Sequence, residues 1–462
     1  MVSMGSRVAG TEQRKPLARQ LPQKTPLEIE SPVGKIMPAC AGDHPAIHHF
    51  LSNVFKTHIP AADFNIQLDN PTYEPSNRLL VRHGATIIAH SRIIDREIQF
   101  GNQQIPVSFL TEMGTIPEFR GSGVGTALLR AVEQQMELNG SVVGVLRTTI
   151  PHFYARLGWS LCTIPVKSVA GAHDILSHLI GQQRQQEAER AVNPLNAPLK
   201  QLNIRLWRHV EQDALMRIYQ LNTQSCFGAH VRTEAAWRWL FNRRAFDQIY
   251  VALESNDKIA LGASLHSIIG YGVVKTGRVI ELMVDKGRDD VRNQLLQRIC
   301  SDVIEHQDKH VTIDARANDV LHRIVIESGG NQVSQATPGL EVTMVKIFKP
   351  LDFIRLIRST FRKRVRDAGL GFPCELGINL KTERFQIACN QRSTRLLDGR
   401  LGRSYLNCST QVFSELLLGQ CDISRAITQE RIVPSTRIAL ETAQVLFPRI
   451  PLWFPSLDDL TA

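Results

Sequence analysis

The stretch "RGSGVG", Arg120 to Gly125, lies between a strand-like run, "IPVSFLTEMGTI", and a helix-like one, "TALLRAVEQQMEL". Glycines at a strand-to-helix junction constrain the fold more than anything else in this chain. They let the backbone approach a ligand and aim several N–H groups at one point, and the first amides of a helix have no partner inside it. The positive end of the helix dipole adds its attraction for an anion. A charge-assisted hydrogen bond contributes roughly 1.5 to 3 kcal/mol, so three of them give on the order of 5 kcal/mol, more than a thousandfold in affinity. A diphosphate suits such a cradle. A tight turn without a ligand is the plainer alternative, and it needs only one or two glycines.

Spacing sorts the loop among phosphate-binding motifs. The phosphate loop of nucleotide hydrolases requires G-x-x-x-x-G-K-S/T, and no Lys follows here. The dinucleotide fingerprint requires G-x-G-x-x-G early in a parallel β-α-β unit. "GSGVGT" brings its third glycine one place too soon and follows several antiparallel-looking strands. The loop resembles instead the GNAT N-acetyltransferase signature, R/Q-x-x-G-x-G/A, with Arg120, Gly123 and Gly125 in the fixed places and Pro117 ahead of them. One helix and one strand downstream, "PHFYARLGW" resembles the P-x-F-Y-x-x-x-G-F element of the same superfamily. Pro151, Phe153, Tyr154 and Gly158 are in register, and Trp159 replaces the usual Phe.

The resemblance implies a slot between two splayed strands that takes acetyl-CoA. Met113, Gly114 and Thr115 would pair with the pantetheine arm, and Arg120, Gly121, Ser122, Gly123, Val124, Gly125 and Thr126 would hold the diphosphate. Thr149 and Ile150 would border the other arm. The implied reaction is acetyl transfer to a primary amine, by direct attack through a tetrahedral intermediate. Tyr154 is the general acid for the departing thiolate, because a phenol of reference pKa near 10 keeps its proton at neutral pH. Candidates for the base are Glu112, whose side chain strand alternation turns away from those of Thr111 and Met113, and His152.

The whole chain resembles the enhanced-intracellular-survival (Eis) type of acetyltransferase. That implies an α+β fold, two tandem GNAT-like mixed-sheet domains followed by a sterol-carrier-like α+β domain. On this reading residues 1–33 are a disordered tail, 34–166 the active domain and 167–201 a partly helical linker. Residues 202–349 are a degenerate copy in which "DKGRDDVRNQ" replaces the glycine loop, and 350–462 are the third domain. "PRIPLWFPSLDDLTA" carries too much Pro and aromatic surface for a free tail and is expected to dock. The resemblance further implies a homo-oligomer, up to a hexamer, and a terminal carboxylate, here that of Ala462, acting as base. The family ends in an aromatic residue and this chain does not. Asp458 and Asp459 are candidates for lining an amine-binding pocket. The rival reading is a lipid or small-molecule binding protein that uses its third domain while the acetyltransferase domains are inactive.

Composition narrows the partners. A net charge of +10 invites nucleic acid, but the densest basic stretch, "IRSTFRKRVRD", puts Ile354, Ile357 and Phe361 on the opposite side of a helix and reads as a solvated face. No helix-turn-helix, zinc-finger or aromatic RNA-binding pattern accompanies it, so no nucleic-acid partner is expected. No run approaches the roughly 18 apolar residues of a membrane span. The eight cysteines are scattered, with no C-x-x-C pair and no metal-ligand spacing, as for reduced thiols in a cytoplasmic protein. The acceptor is an amine-bearing small molecule or a protein lysine; the residues do not choose between them.

Overall fold

The computed structural model describes residues 30–56, 59–162, 166–192, 201–254, 267–334, 341–381 and 383–459. The chain opens with β1 (Glu30–Ser31), β2 (Gly34–Pro38), α1 (His44–Phe55), α2 (Ala61–Leu68), β3 (Arg78–His83), β4 (Thr86–Phe100) and β5 (Gln103–Thr115). There follow α3 (Val124–Leu138), β6 (Val143–Thr148), α4 (Pro151–Ala155) and β7 (Ser160–Leu161). Strands β1 to β5 run antiparallel, whereas β5 and β6 are parallel. A parallel pair needs a crossover, and α3 supplies it. Its apolar stripe (Val124, Leu128, Leu129, Val132, Met136) recurs at helical spacing and is fully buried.

The same plan recurs in β8 (Val166–Gly171), α5 (Ala172–Val192), β9 (Asn203–Leu206), α6 (Gln212–Thr223), β10 (Phe227–His230), α7 (Glu234–Asn242) and β11 (Gln248–Leu253). It continues through β12 (Ile268–Lys275), β13 (Arg278–Val284), α8 (Asp289–Glu305), β14 (His310–Asp314), α9 (Val320–Glu327), β15 (Asn331–Ser334) and β16 (Val342–Ile347). Here β13 and β14 are the parallel pair and α8 the crossover. A third unit comprises α10 (Pro350–Asp367), β17 (Cys374–Asn379), β18 (Arg384–Cys389), β19 (Thr394–Asp398), β20 (Tyr405–Cys408), α11 (Thr410–Leu417), α12 (Ile423–Thr428), β21 (Ile432–Pro434) and α13 (Arg437–Leu446). The outcome is the expected α+β class, with three mixed sheets.

The sheets do not respect the boundaries read along the sequence. β16, expected in the second unit, lies between β6 and β7 in the first sheet, and β10 pairs with β4. β8, at the junction of the first segment and the linker, lies between β14 and β15 in the second sheet. The reason is edge pairing: beyond β5, β6 would present unmatched N–H and C=O groups, and β16 matches all six of its residues, from Val342 opposite Thr148 to Ile347 opposite Val143. The linker is likewise built in. β8 is a sheet strand, and α5 buries Ile175 and Leu179 in the core of the second unit, while its polar second half is exposed. The tail expected over 1–33 falls outside the described residues up to residue 29, and at Glu30–Ser31 the chain is already a strand paired with Gly34 and Lys35.

The third unit packs on the first. α10 buries Phe353, Ile354, Ile357 and Phe361, and Phe353 meets Phe100 of β4 edge to face at 5.4 Å. Interlocked rings of Phe361, Phe385, Phe413 and Phe447 fill its interior. The C-terminal segment docks, as its composition implied. Trp453 N–H donates to Phe227 O at 2.9 Å, Phe454 meets Phe109 edge to face and Leu457 is fully buried. Only glycine fits at 228, because a Cβ there would lie 2.7 Å from Trp453 O. Among the described residues no helix is long and apolar enough to cross a membrane.

Candidate active site

β5 and β6 stay paired only from Val107 opposite Val143 to Leu110 opposite Leu146. Beyond that point β5 remains bonded to β4 and β6 to β16, so the inner edges of Thr111–Thr115 and Arg147–Thr148 separate into a fork. A β-bulge sharpens it. Arg92 faces Thr111 and His90 faces Gly114, which leaves Glu112 and Met113 opposite Ser91 alone, and Glu112 takes a φ of +54°. Bulges re-aim side chains and bend the strand that carries them.

The bulge turns Glu112 into a charged cluster. Its carboxylate is bound by Arg78 and, at 3.2 Å, by Arg92, and its carbonyl accepts from His90 Nδ1 at 2.9 Å. Burial alone would raise its pKa, but Arg78 and Arg92 hold it down to about 2. A carboxylate so committed is too weak a base to take a proton from an amine. His90 is buried and, with Arg78 beside it, is pushed down to about 4, so it stays neutral. These partners are 20 to 34 residues from Glu112 in sequence. The one visible signal was a charged residue, Arg78, directly ahead of the apolar run Leu79–Val81.

The glycine loop follows β5. Gly121 and Gly123 adopt φ of +77° and +87°, which L side chains rarely take. Arg120 Nε donates back to Thr115 O at 3.1 Å and Ser122 Oγ to Phe119 O at 2.6 Å, pinning the loop on both sides. The first helical amide of α3 to find an acceptor is that of Ala127, on Gly123 O at 3.0 Å. The amides of Gly121, Ser122, Gly123, Val124, Gly125 and Thr126 have none among the described residues. A Cβ at Gly121 would meet nothing within 4 Å, and one at Gly123 would meet Pro32 Cγ at 3.5 Å. Val124 contributes only its amide, since its side chain belongs to the core.

Across the fork, Tyr154 on α4 is buried with its hydroxyl 3.7 Å from Met113 Sδ, and burial pushes its pKa up to about 12. Phe153 lies 3.7 Å from where a Cβ of Gly125 would sit, which brings α4 and the loop together. Trp159 explains its own departure from Phe: its Nε1–H donates to Glu133 Oε1 of α3 at 2.7 Å, and Lys346 of β16 binds the other oxygen at 2.8 Å. Gly114 has a packing role, because a Cβ would lie 2.8 Å from Val54 of α1. Thr149 and Ile150 are exposed where β6 leads into α4, and the Ile150 amide is already taken by Thr148 Oγ1 at 3.0 Å. His152 is exposed on α4. Asp458 is bound by Arg232, and Asp459 by Arg96 and Arg147, so neither is a free acid. Ala462 lies outside the described residues.

Residues 35–162 match the family model for the acetyltransferase (GNAT) domain. This chain carries a GNAT acetyltransferase domain. The fork, the loop and Tyr154 all fall inside it. Among solved structures, the chain is similar to a GCN5-related N-acetyltransferase from Kribbella flavida (15% identity, TM-score 0.65, covering 91% of this chain and 97% of that one). It is also similar to a protein of unknown function from Enterococcus faecalis titled a probable N-acyltransferase (12%, TM-score 0.69, 91% and 98%). A third is Eis1 from Mycobacterium abscessus (14%, TM-score 0.57, 91% and 99%). At these identities the likeness is one of fold, and it extends over the tandem GNAT-like arrangement and the added α+β unit. No curated protein matches the chain. GNAT acetyltransferases use acetyl-CoA, and the residues here fit it: amides at a helix head without an acceptor among the described residues for the diphosphate, and a strand edge at Thr111–Gly114 without a partner strand among them for the arm.

Proposed function

We propose that the chain is an acetyl-CoA-dependent N-acetyltransferase that transfers acetyl to a primary amine by direct attack. The observation that carries this reading is the conjunction, within one fork, of unmatched amides at the head of α3 and a buried tyrosine hydroxyl beside a sulfur atom. Acetyl-CoA supplies the activated acyl group and a thiolate leaving group. The amides of Gly121 to Thr126 bind its diphosphate, the Met113–Thr115 edge aligns its arm, and Thr149 and Ile150 flank the other side.

Tyr154 is the general acid. The reaction forms an N–C bond and breaks a C–S bond, one proton leaves the nitrogen, and the thiol departs protonated. A phenol near 12 is a weaker acid than a thiol of about 8.5. Its contribution is therefore a hydrogen bond held ready against sulfur, with the proton passing as the nitrogen's own proton is lost. For the base we propose the terminal carboxylate of Ala462. Asp459, three residues earlier, is held 2.8 Å from Arg147 on the β6 arm of the fork, which supports this reading. Extending the chain by two residues past Ala462 tests this: undiminished turnover would reject it. A cytoplasmic homo-oligomer with an amine-bearing metabolite or lysine as acceptor completes the reading, and light scattering checks the assembly.

Acetyl-CoA titration by calorimetry and thiol release over a panel of amines test the whole. Tyr154→Phe should lower kcat about 100-fold, in the range of general acid catalysis, with acetyl-CoA affinity within about twofold. Equal turnover would remove Tyr154 from the reaction. The lipid-carrier alternative has less support, because rings of Phe361, Phe385, Phe413 and Phe447 occupy the interior of the third unit. Saturable uptake of a fluorescent fatty acid without acetyl-CoA binding would favour it.

A further inference from the structure

The second unit keeps a fork of its own. β13 and β14 pair in parallel only at Arg278 with Thr312 and Val279 with Ile313, then diverge. In the divergence lies a cavity of about 100 Å³ whose walls include Asn222, Arg292, Asp314, Arg316, Asp319 and Trp453. It does not suit a diphosphate: the helix head beside it opens with Asp289 and Asp290 where the first unit has glycines. It is also smaller than the ~150 Å³ that accommodates benzene, so it holds about four or five heavy atoms.

Its walls carry both charges. Arg292 is bound by Asp289 at 2.7 Å, while its Nε is buried with no partner among the described residues. Arg316 donates to Asn222 O at 2.9 Å and lies 5.0 Å from the centre of the Trp453 ring. Asp314, of which 7% is exposed, gives one oxygen to Arg278, and its Oδ1 is buried and unmatched among the described residues. Asp319 accepts from the Leu321 amide at 3.0 Å. The lining of this one cavity thus sets two guanidinium groups, those of Arg292 and Arg316, against the carboxylates of Glu281, Asp314 and Asp319. A lone anion would satisfy the arginines and be repelled by the aspartates, and a lone cation the reverse. We propose that this cavity binds a small zwitterion, the ammonium-and-carboxylate end of an amino acid, with its ammonium toward Asp314 and Asp319 and its carboxylate toward Arg292 and Arg316.

Glycine, with five heavy atoms, is the probe. Equilibrium dialysis of the full chain should show saturable one-to-one binding of glycine. Methylamine and acetate, each with half of its charges, should bind at least tenfold more weakly. Arg316→Gln should weaken glycine at least tenfold. Ala315→Met, which fills the cavity from its wall and leaves every charge in place, should abolish glycine binding while acetyl-CoA titrates as in the parent. The proposal is overturned if glycine shows no saturable binding at millimolar concentration, if acetate or methylamine binds as tightly, or if Ala315→Met or Arg316→Gln leaves glycine binding unchanged. Because acetyl-CoA is titrated separately, failure here is distinct from failure of the acetyltransferase reading.

Discussion

Arg232 offers a sharp test of the packing that joins the units. Just past β10, its guanidinium is bound by both oxygens of Glu281 (3.0 and 2.7 Å) and both of Asp458 (3.2 and 2.7 Å). It lies 4.0 Å from the centre of the Tyr219 ring and 4.6 Å from that of Trp237, with 1% of its side chain exposed. Arg232→Met keeps most of the volume and removes the charge. Breaking a buried pair on one side costs about 3 to 5 kcal/mol, and here two carboxylates lose the same counterion, so the upper end applies, about 5 kcal/mol. At roughly 2 to 4 °C per kcal/mol for a unit of this size, the melting point should fall about 10 to 20 °C. The loss should depend on pH in one direction. Burial would raise the pKa of Asp458, but Arg232, with His230 and Arg96, holds it well below the usual range. In the parent this group stabilises the fold above about pH 3.9, and the contribution fades as pH drops through that value and below. Without Arg232 the carboxyl takes up its proton more readily, so the deficit is greatest near pH 7 and shrinks toward pH 4. Urea unfolding followed by circular dichroism from pH 4 to 8 measures both quantities. A loss under about 1 kcal/mol, or a deficit independent of pH, would refute the assignment of this arginine as the counterion of the docked C-terminal segment. Adding Asp458→Asn to the variant should recover part of the loss at neutral pH.

Other outcomes follow from the same geometry. Gly123→Ala places a Cβ on a φ of +87°, a cost of about 1 to 2 kcal/mol. Calorimetry should find acetyl-CoA binding about tenfold weaker, with the far-UV spectrum unchanged. Glu112→Gln leaves Arg78 and Arg92 sharing a neutral amide, and should cost about 2 to 4 kcal/mol in urea unfolding. His90 and His230 are both pushed down to about 4, chiefly by burial. Each favours the fold fully above its unfolded value near 6.5, and that advantage is lost as pH falls toward 4, at up to about 1.4 kcal/mol per pH unit per histidine. Replacing His90 by Gln should reduce the slope by about one proton's share, and melting curves between pH 4 and 7 read it.

Local chemistry made much of this protein legible in its sequence. The glycines of Arg120–Gly125 announced a loop in left-handed backbone at Gly121 and Gly123, because only glycine takes those angles without strain. The stripe of α10 announced its buried face because helical spacing alone decides which residues share a side. The fold class was implied by the resemblance that the loop and the "PHFYARLGW" element carry. What depended on partners distant in sequence was hidden. β16 crosses into the first sheet because β6 had an edge to match, a fact about the assembled sheet that the residues Val342–Ile347 do not carry. Polar composition made α5 read as linker, although two buried side chains, Ile175 and Leu179, fix it to the second unit. The bulge that commits Glu112 to Arg78 and Arg92, and the cavity between β13 and β14, exist only once strands from several segments lie side by side. Backbone conformation and amphipathic periodicity are properties of neighbours along the chain, whereas charge pairing, edge pairing and cavities are properties of neighbours in space.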